Sequence, residues 1–309
     1  MDGHGLTPLT GGFSGETFLA ESAGQRVVIR IYAGRGARRE RAAEIDAAIL
    51  HLVRGLLPVP QVLEMRRPDP AAGTPGVLVT SFLPGERLDL SLPGLDGRQR
   101  AAVARKLGLV LGRLAQMPMP RPGQFVDAGL RIEPWAEAPD LPAWVRHQRS
   151  TSALAGWPDD LYHRLLAVAD HAQGLLDEVD RACLVHSDFN PKNLLIDPAA
   201  GELTGLLDWE FAHAGTPVTD LGNLLRFERD PGFTEGVLTG YLAVAGHLDG
   251  LAGLSRAARR KRLLDLARAA DLFALAGLAG RRGENPVASQ SDVLLRAIAA
   301  SADLHAVAS

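Results

Sequence analysis

The stretch from Ala182 to Glu210 limits the fold of this 309-residue chain more than any other. Three short apolar runs, 182–185, 194–196 and 203–207, are each of strand length and carry Leu, Ile or Val. The gap Asp197-Pro-Ala-Ala-Gly201 reads as a turn. This pattern puts His186-Ser-Asp-Phe-Asn-Pro-Lys-Asn193 on one loop and Asp208-Trp-Glu210 at the end of a neighbouring strand. Two carboxylates and an amide then stand at fixed spacings. That set suits phosphoryl transfer. One carboxylate takes the proton of a hydroxyl nucleophile, while an amide oxygen and a second carboxylate hold magnesium on the nucleotide phosphates.

The N-terminal third supplies a nucleotide side. Gly11, Gly12, Ser14 and Gly15 form a small-residue turn ahead of a strand-like run at 17–20, and a second strand, Gln25–Tyr32, follows through Ser22-Ala-Gly24. The glycines let backbone N–H groups approach a phosphate, although a Gly-rich hairpin alone is most often only a turn. No Gly-Lys-Ser/Thr follows, so this is not a Walker-type loop. Arg30 sits in an otherwise apolar strand, and no lysine precedes Lys106. It reads either as an outward-facing surface residue or as a cation that holds phosphate. Residues 38–54 show helical periodicity, and Glu40 or Glu44 on that helix is available to pair with Arg30, with Glu44 preferred.

Further strands are expected at 59–64 and 76–82. The second ends at Leu83-Pro-Gly85, a break suited to a hinge, where backbone groups of Ser81 and Leu83 could meet an adenine. Helices are expected at 96–117, 159–179, 219–227, 233–245, 255–280 and 292–304. Ser255 and Asp220 are candidate N-caps. Residues 123–157 read as irregular, with Trp135, Trp144 and Trp157 as packing anchors. The order implies an α+β chain: residues 1–82 as a small β-rich lobe with one long helix, a hinge near 81–85, and residues 86–309 as a larger, mainly helical lobe.

Composition excludes several classes. A net charge of -3 gives no reason to expect nucleic acid or a membrane surface as partner. No apolar run is long enough to span a bilayer, and no secretory signal is visible, so a cytoplasmic location is expected. One cysteine, Cys183, precludes an internal disulfide and a Cys-rich metal site. Oligomeric state is not readable.

The residues at 186–193 and 207–210 resemble the catalytic and metal motifs of the aminoglycoside phosphotransferase family, the small-molecule branch of the protein-kinase-like fold. Gly11–Thr17, Val28-Ile-Arg30, Pro58-Val-Pro60, Phe82-Leu-Pro-Gly85 and Gly215-Thr-Pro-Val-Thr-Asp220 match that family in order. The resemblance implies a bilobal fold that carries ATP or GTP with Mg²⁺. It implies Asp188 as the base for an acceptor hydroxyl, Asn193 and Asp208 as metal ligands, and Arg30 as the phosphate-holding cation with Glu44 as its partner. Gly12, Ser14, Gly15, Ser81 and Leu83 would line the nucleotide. A protein kinase has lysine two residues after the base; here that position is Asn190, with Lys192 two further on, and either could reach the γ-phosphate. Asp208 is followed by Trp-Glu rather than Phe-Gly, and no activation segment follows, which argues against a protein kinase. The function so implied is transfer of a γ-phosphate to a hydroxyl of a small polar molecule. The alternatives are a non-catalytic nucleotide-binding protein of the same fold and a kinase for an amino alcohol, amino acid, sugar or macrolide. A polycationic acceptor would need acids, of which Asp140, Asp159, Asp160, Glu228, Asp230 and Glu235 are available.

Overall fold

In the strand Gly76–Ser81 every second residue is buried, the pattern of a sheet with one face on a core. It is one of five antiparallel strands: β1 (Leu6–Pro8), β2 (Glu16–Ser22), β3 (Gln25–Tyr32), β4 (Val62–Arg66) and β5 (Gly76–Ser81), in the order β1-β2-β3-β5-β4. β3 lies at the centre, with Arg30 opposite Thr17 on β2 and Leu78 on β5. One helix, α1 (Ala42–Val53), covers the sheet with a stripe of Ile45, Ile49 and Val53. β4 begins three residues late because Pro58 and Pro60 bracket the stretch before it. The computed structural model describes residues 6–9, 16–22, 24–32, 40–136, 138–247, 251 and 253–307.

The chain forms two units. The first comprises Met1–Val103, Gln124–Glu133 and Asn190–Ala212. Besides the five-stranded sheet it holds a three-stranded one, in which Leu194–Asp197 lies between Glu202–Leu206 and Glu86–Arg87. The loop-strand-turn-strand reading of 188–208 is therefore realised: Leu194 pairs with Leu206 and Asp197 with Glu202.

The second unit comprises Ala104–Gly123, Pro134–Phe189 and His213–Ser309. A core cluster in it gathers Val145, Leu165, Leu272, Leu275 and Leu295 from four helices: Leu141–Thr151, Asp159–Leu176, Arg256–Ala279 and Pro286–Ser301. The first of these falls where the sequence reads as irregular. Pro142 at its first turn obscures the signal, yet Asp140 caps it by accepting from the Ala143 N–H. Pro286–Ser301 likewise starts earlier than expected, capped by Asn285. Ser255 caps its helix as expected. The strand Ala182–Val185 pairs antiparallel with His213–Gly215, Val185 opposite His213. No helix among the described residues is long and apolar enough to cross a membrane.

Candidate functional site

In the first unit the expected site residues gather around Arg30. Its Nη1 donates to Asp208 Oδ1 at 2.7 Å, and its Nη2 donates to Glu210 Oε2. Asp46 Oδ2 stands 4.0 Å from Nη1 and accepts a 2.6 Å hydrogen bond from the Tyr32 hydroxyl. Arg30 and Tyr32 are two apart on β3, so both side chains leave the same face of the strand. Burial disfavours the guanidinium charge. Asp208, Tyr32, Asp46 and Glu210 more than restore it, so the pKa lies above its usual value. Burial also pushes the Asp46 carboxyl up to about 6, against the pull of Arg30 and the Tyr32 hydrogen bond.

This geometry corrects the expected partner of Arg30. Glu44 forms its ion pair with Arg67. The helix acid beside Arg30 is Asp46, two residues on, because two residues turn a helix by about 200° and carry the side chain from one flank to the other. Glu210 is a second carboxylate on Arg30. Asp46 had a signal in the sequence: an acid on the stripe Asp46, Ile49, Leu50, Val53 that the helix buries.

Asp208 itself has φ 63°, a left-handed conformation uncommon for a residue with a side chain. Several contacts hold it. The Leu206 N–H donates to Pro58 O and the Leu207 N–H to Asn193 O, while the buried Trp209 indole donates to Leu206 O. The same Leu207–Asn193 bond ties the Asp208 turn to the start of the strand carrying Asn193. Asn190 caps the short turn Pro191–Asn193, its side chain accepting from the Lys192 N–H, and Lys192 is exposed. At the expected hinge, the Ser81 N–H donates to Gln61 O at 2.9 Å. Leu83 follows the strand and packs its side chain against Gly205. Gly12, Ser14 and Gly15 lie outside the described residues.

In the second unit the loop bearing Asp188 is built on a buried carboxylate. Asp220 Oδ2 accepts from the His186 N–H at 2.8 Å, and Oδ1 from the Ser187 N–H at 2.7 Å. Asp220 is therefore no helix cap: Val218 occupies that position, and the acid instead clamps the loop. Burial raises its carboxyl to about 7 although both N–H bonds pull it down. Ser187 has φ 69°, and Asn223 donates to its carbonyl at 3.3 Å. His186 is fully buried and its Nδ1 accepts from the Asp188 N–H at 3.2 Å, which makes it an orienting group. The Asp188 side chain is half-buried.

The donor set fits a hard cation. Mg²⁺ takes one or two protein carboxylates and completes its shell with water and phosphate oxygens, so Asp208 with the Asn193 amide suffices. Among the described residues no group of three or more His, Cys, Asp or Glu forms a metal cage.

Comparison with known proteins agrees with the fold. The model of the family "APH: Phosphotransferase enzyme family" matches residues 5–259. A crystal structure of aminoglycoside phosphotransferase APH(4)-Ia superposes with a TM-score of 0.67 at 17% identity, covering 97% of this chain and 94% of that one. The GDP complex of aminoglycoside 2'-phosphotransferase-IIIa gives 0.66 at 17%, covering 97% and 93%. These likenesses carry the kinase-like fold. Acyl-CoA dehydrogenase family member 10 of Mus musculus is 27% identical over 227 residues, 68% of this chain but 19% of that protein. The chain thus spans about a fifth of that curated relative.

Proposed function

The chain belongs to the APH phosphotransferase enzyme family, and from that premise we propose that it moves the γ-phosphate of ATP or GTP to a hydroxyl of a small molecule. The observation that carries this reading is the 2.7 Å pair between Arg30 and Asp208, which sets a strand cation beside a carboxylate suited to a metal. Structures of relatives with ADP and hygromycin B, and with GDP, support a nucleotide as donor.

In this reading Arg30 binds nucleotide phosphate, and Asn193 and Asp208 hold Mg²⁺, which when bound neutralises charge developing on the phosphoryl group. Asp188 orients the acceptor hydroxyl and takes its proton. His186 and Asp220 keep the Asp188 backbone in place through the contacts described above. Ser81 and Leu83 meet the base, Asn190 or Lys192 reaches the γ-phosphate, and Gly12, Ser14 and Gly15 close on the phosphates. Positioning and charge supply most of the rate, with Asp188 contributing on the order of 10²–10⁴-fold.

The test is ADP release over a panel of aminoglycosides, macrolides, amino alcohols, amino acids and sugars. Asp188→Asn is expected to keep nucleotide affinity and lose turnover by that factor. Near-normal turnover in this variant sinks the assignment. So does the absence of turnover with every acceptor in the wild-type chain.

A further inference from the structure

Five half-buried rings run across the second unit next to the strand that feeds Asp188. His213 meets Trp135 edge to face at 5.3 Å, and Trp135 lies 6.5 Å from Phe273. Phe273 stacks on Trp144 at 4.5 Å, and Trp144 stacks on His147 at 5.5 Å. The Trp144 indole N–H donates to Phe273 O at 2.9 Å, which fixes the stack. Trp157 shows what a packing tryptophan looks like in this unit: it is 3% exposed, with its N–H on buried Asp292. Trp144 and Phe273 also pack on the core cluster, but they and Trp135 stay only half-buried, and a partly open row of rings can serve as a ligand platform.

Position ties the row to the chemistry. Val185 pairs with His213 across the sheet. Asp188 is three residues further on, so its Cα lies within about 11 Å of that pairing. Gly215 clears the space for the His213 ring, since a Cβ there would stand 2.8 Å from Nε2. The glycine in this motif is thus explained by the ring it admits.

Of the six acids available to a polycationic acceptor, all but the exposed Asp160 already have partners. Asp140 caps the helix at 141 and Asp230 accepts from the Gly232 N–H. Glu228 accepts from the Arg229 and Asp230 N–H groups. Asp159 and Glu235 hold Arg149 and Arg260. A cation box is also not what the rings form. Phe273, Trp144 and His147 stack within 14° and 19° of parallel, so their faces cover one another rather than wall a cavity.

Resting on the phosphotransferase reading above, we propose that this row is the acceptor subsite. It takes a neutral, hydroxyl-bearing molecule with an apolar ring face, and Trp135 and Phe273 determine specificity. The apolar face lies against Trp135 and the edge of the stacked rings, and the hydroxyl extends toward Asp188.

The test compares phenyl β-D-glucoside, cyclohexyl β-D-glucoside, glucose and kanamycin on the full chain, by calorimetric titration and by ADP release. The two apolar-faced glycosides are expected to bind on the order of ten-fold tighter than glucose. Trp135→Ala and Phe273→Ala should remove that preference while leaving the KM for ATP unchanged, and Trp135→Phe should restore most of it. Should the alanine variants fail to fold, Trp135→Phe and Trp135→Leu give the same comparison. Tightest binding of kanamycin, no preference among the neutral compounds, or a preference that survives the alanine variants overturns the proposal. Selective binding without ADP release leaves the subsite standing and counts against the reaction, so the two failures are separable.

Discussion

Arg30 and Asp208, 178 residues apart in the chain, are joined at 2.7 Å, and Glu210 takes the other end of the same guanidinium. One side chain thereby fixes the central strand of the sheet to the turn after Leu206. Replacing Arg30 by Met would leave two carboxylates side by side without their cation. Breaking a mostly buried charge network in this way is expected to cost about 3 kcal/mol of unfolding free energy, read by urea denaturation. Arg30→Lys should recover only part of this, because an ammonium cannot bridge two acids with a planar fork. A loss below about 1 kcal/mol for Arg30→Met would show that the network is only a surface contact.

The partner assignment separates two neighbouring acids. Glu44 binds Arg67, whose side chain is 72% exposed, and such pairs contribute about 0–1 kcal/mol. Glu44→Gln should therefore leave stability and the KM for ATP nearly unchanged. Tyr32→Phe removes the donor to buried Asp46 and should cost about 1–3 kcal/mol, with a rise in the KM for ATP as Arg30 loosens. The reverse ranking, with Glu44 the sensitive position, would restore Glu44 as the partner.

The contrast shows what the sequence could carry. Spacing alone located Asp188, Asn193 and Asp208, because a loop, a strand, a turn and a strand leave little freedom over twenty residues. It also made Arg30 a candidate. It could not choose among acids on α1, since one helical step decides which side chain meets the strand and exposed glutamates look the same as paired ones. Asp220 was misread for a similar reason. An acid next to a helix start is usually a cap, and only the fold shows His186 and Ser187 above it. The helix at 141–151 was hidden by Pro142 and by tryptophans that suggest irregular chain.

Gly85 offers a test of the hinge expected from the sequence. Its φ is 133°, and a Cβ would stand 2.3 Å from Thr204 Oγ1 and 3.0 Å from Ile196 O. Gly85→Ala is expected to destabilise by about 3 kcal/mol through backbone strain and overlap together. Adding Thr204→Ala should return part of this, since it relieves the overlap with the hydroxyl but not the strain or the carbonyl contact. Full rescue by the double variant, or an innocuous single one, would mean that the hinge backbone can shift freely.

Asp220 gives the pH dependence. Burial raises its carboxyl to about 7 from the ordinary 3.8, so the folded chain holds this proton more tightly than the unfolded one. The sign follows: the stabilisation is complete below about pH 4 and is lost as pH rises toward 7, because deprotonation costs more in the folded state. Three pKa units correspond to about 4 kcal/mol. Asp220→Asn cannot ionise, so it should lack this slope. It should still be less stable than the wild type at pH 4, because an amide that accepts from one N–H presents its own donor to the other. The advantage of wild type over Asp220→Asn, measured by urea melts at several pH values, is therefore expected to shrink between pH 4 and 7. A constant difference would show that the two backbone N–H bonds outweigh burial and keep Asp220 ionised throughout, making it a fixed negative anchor beneath Asp188.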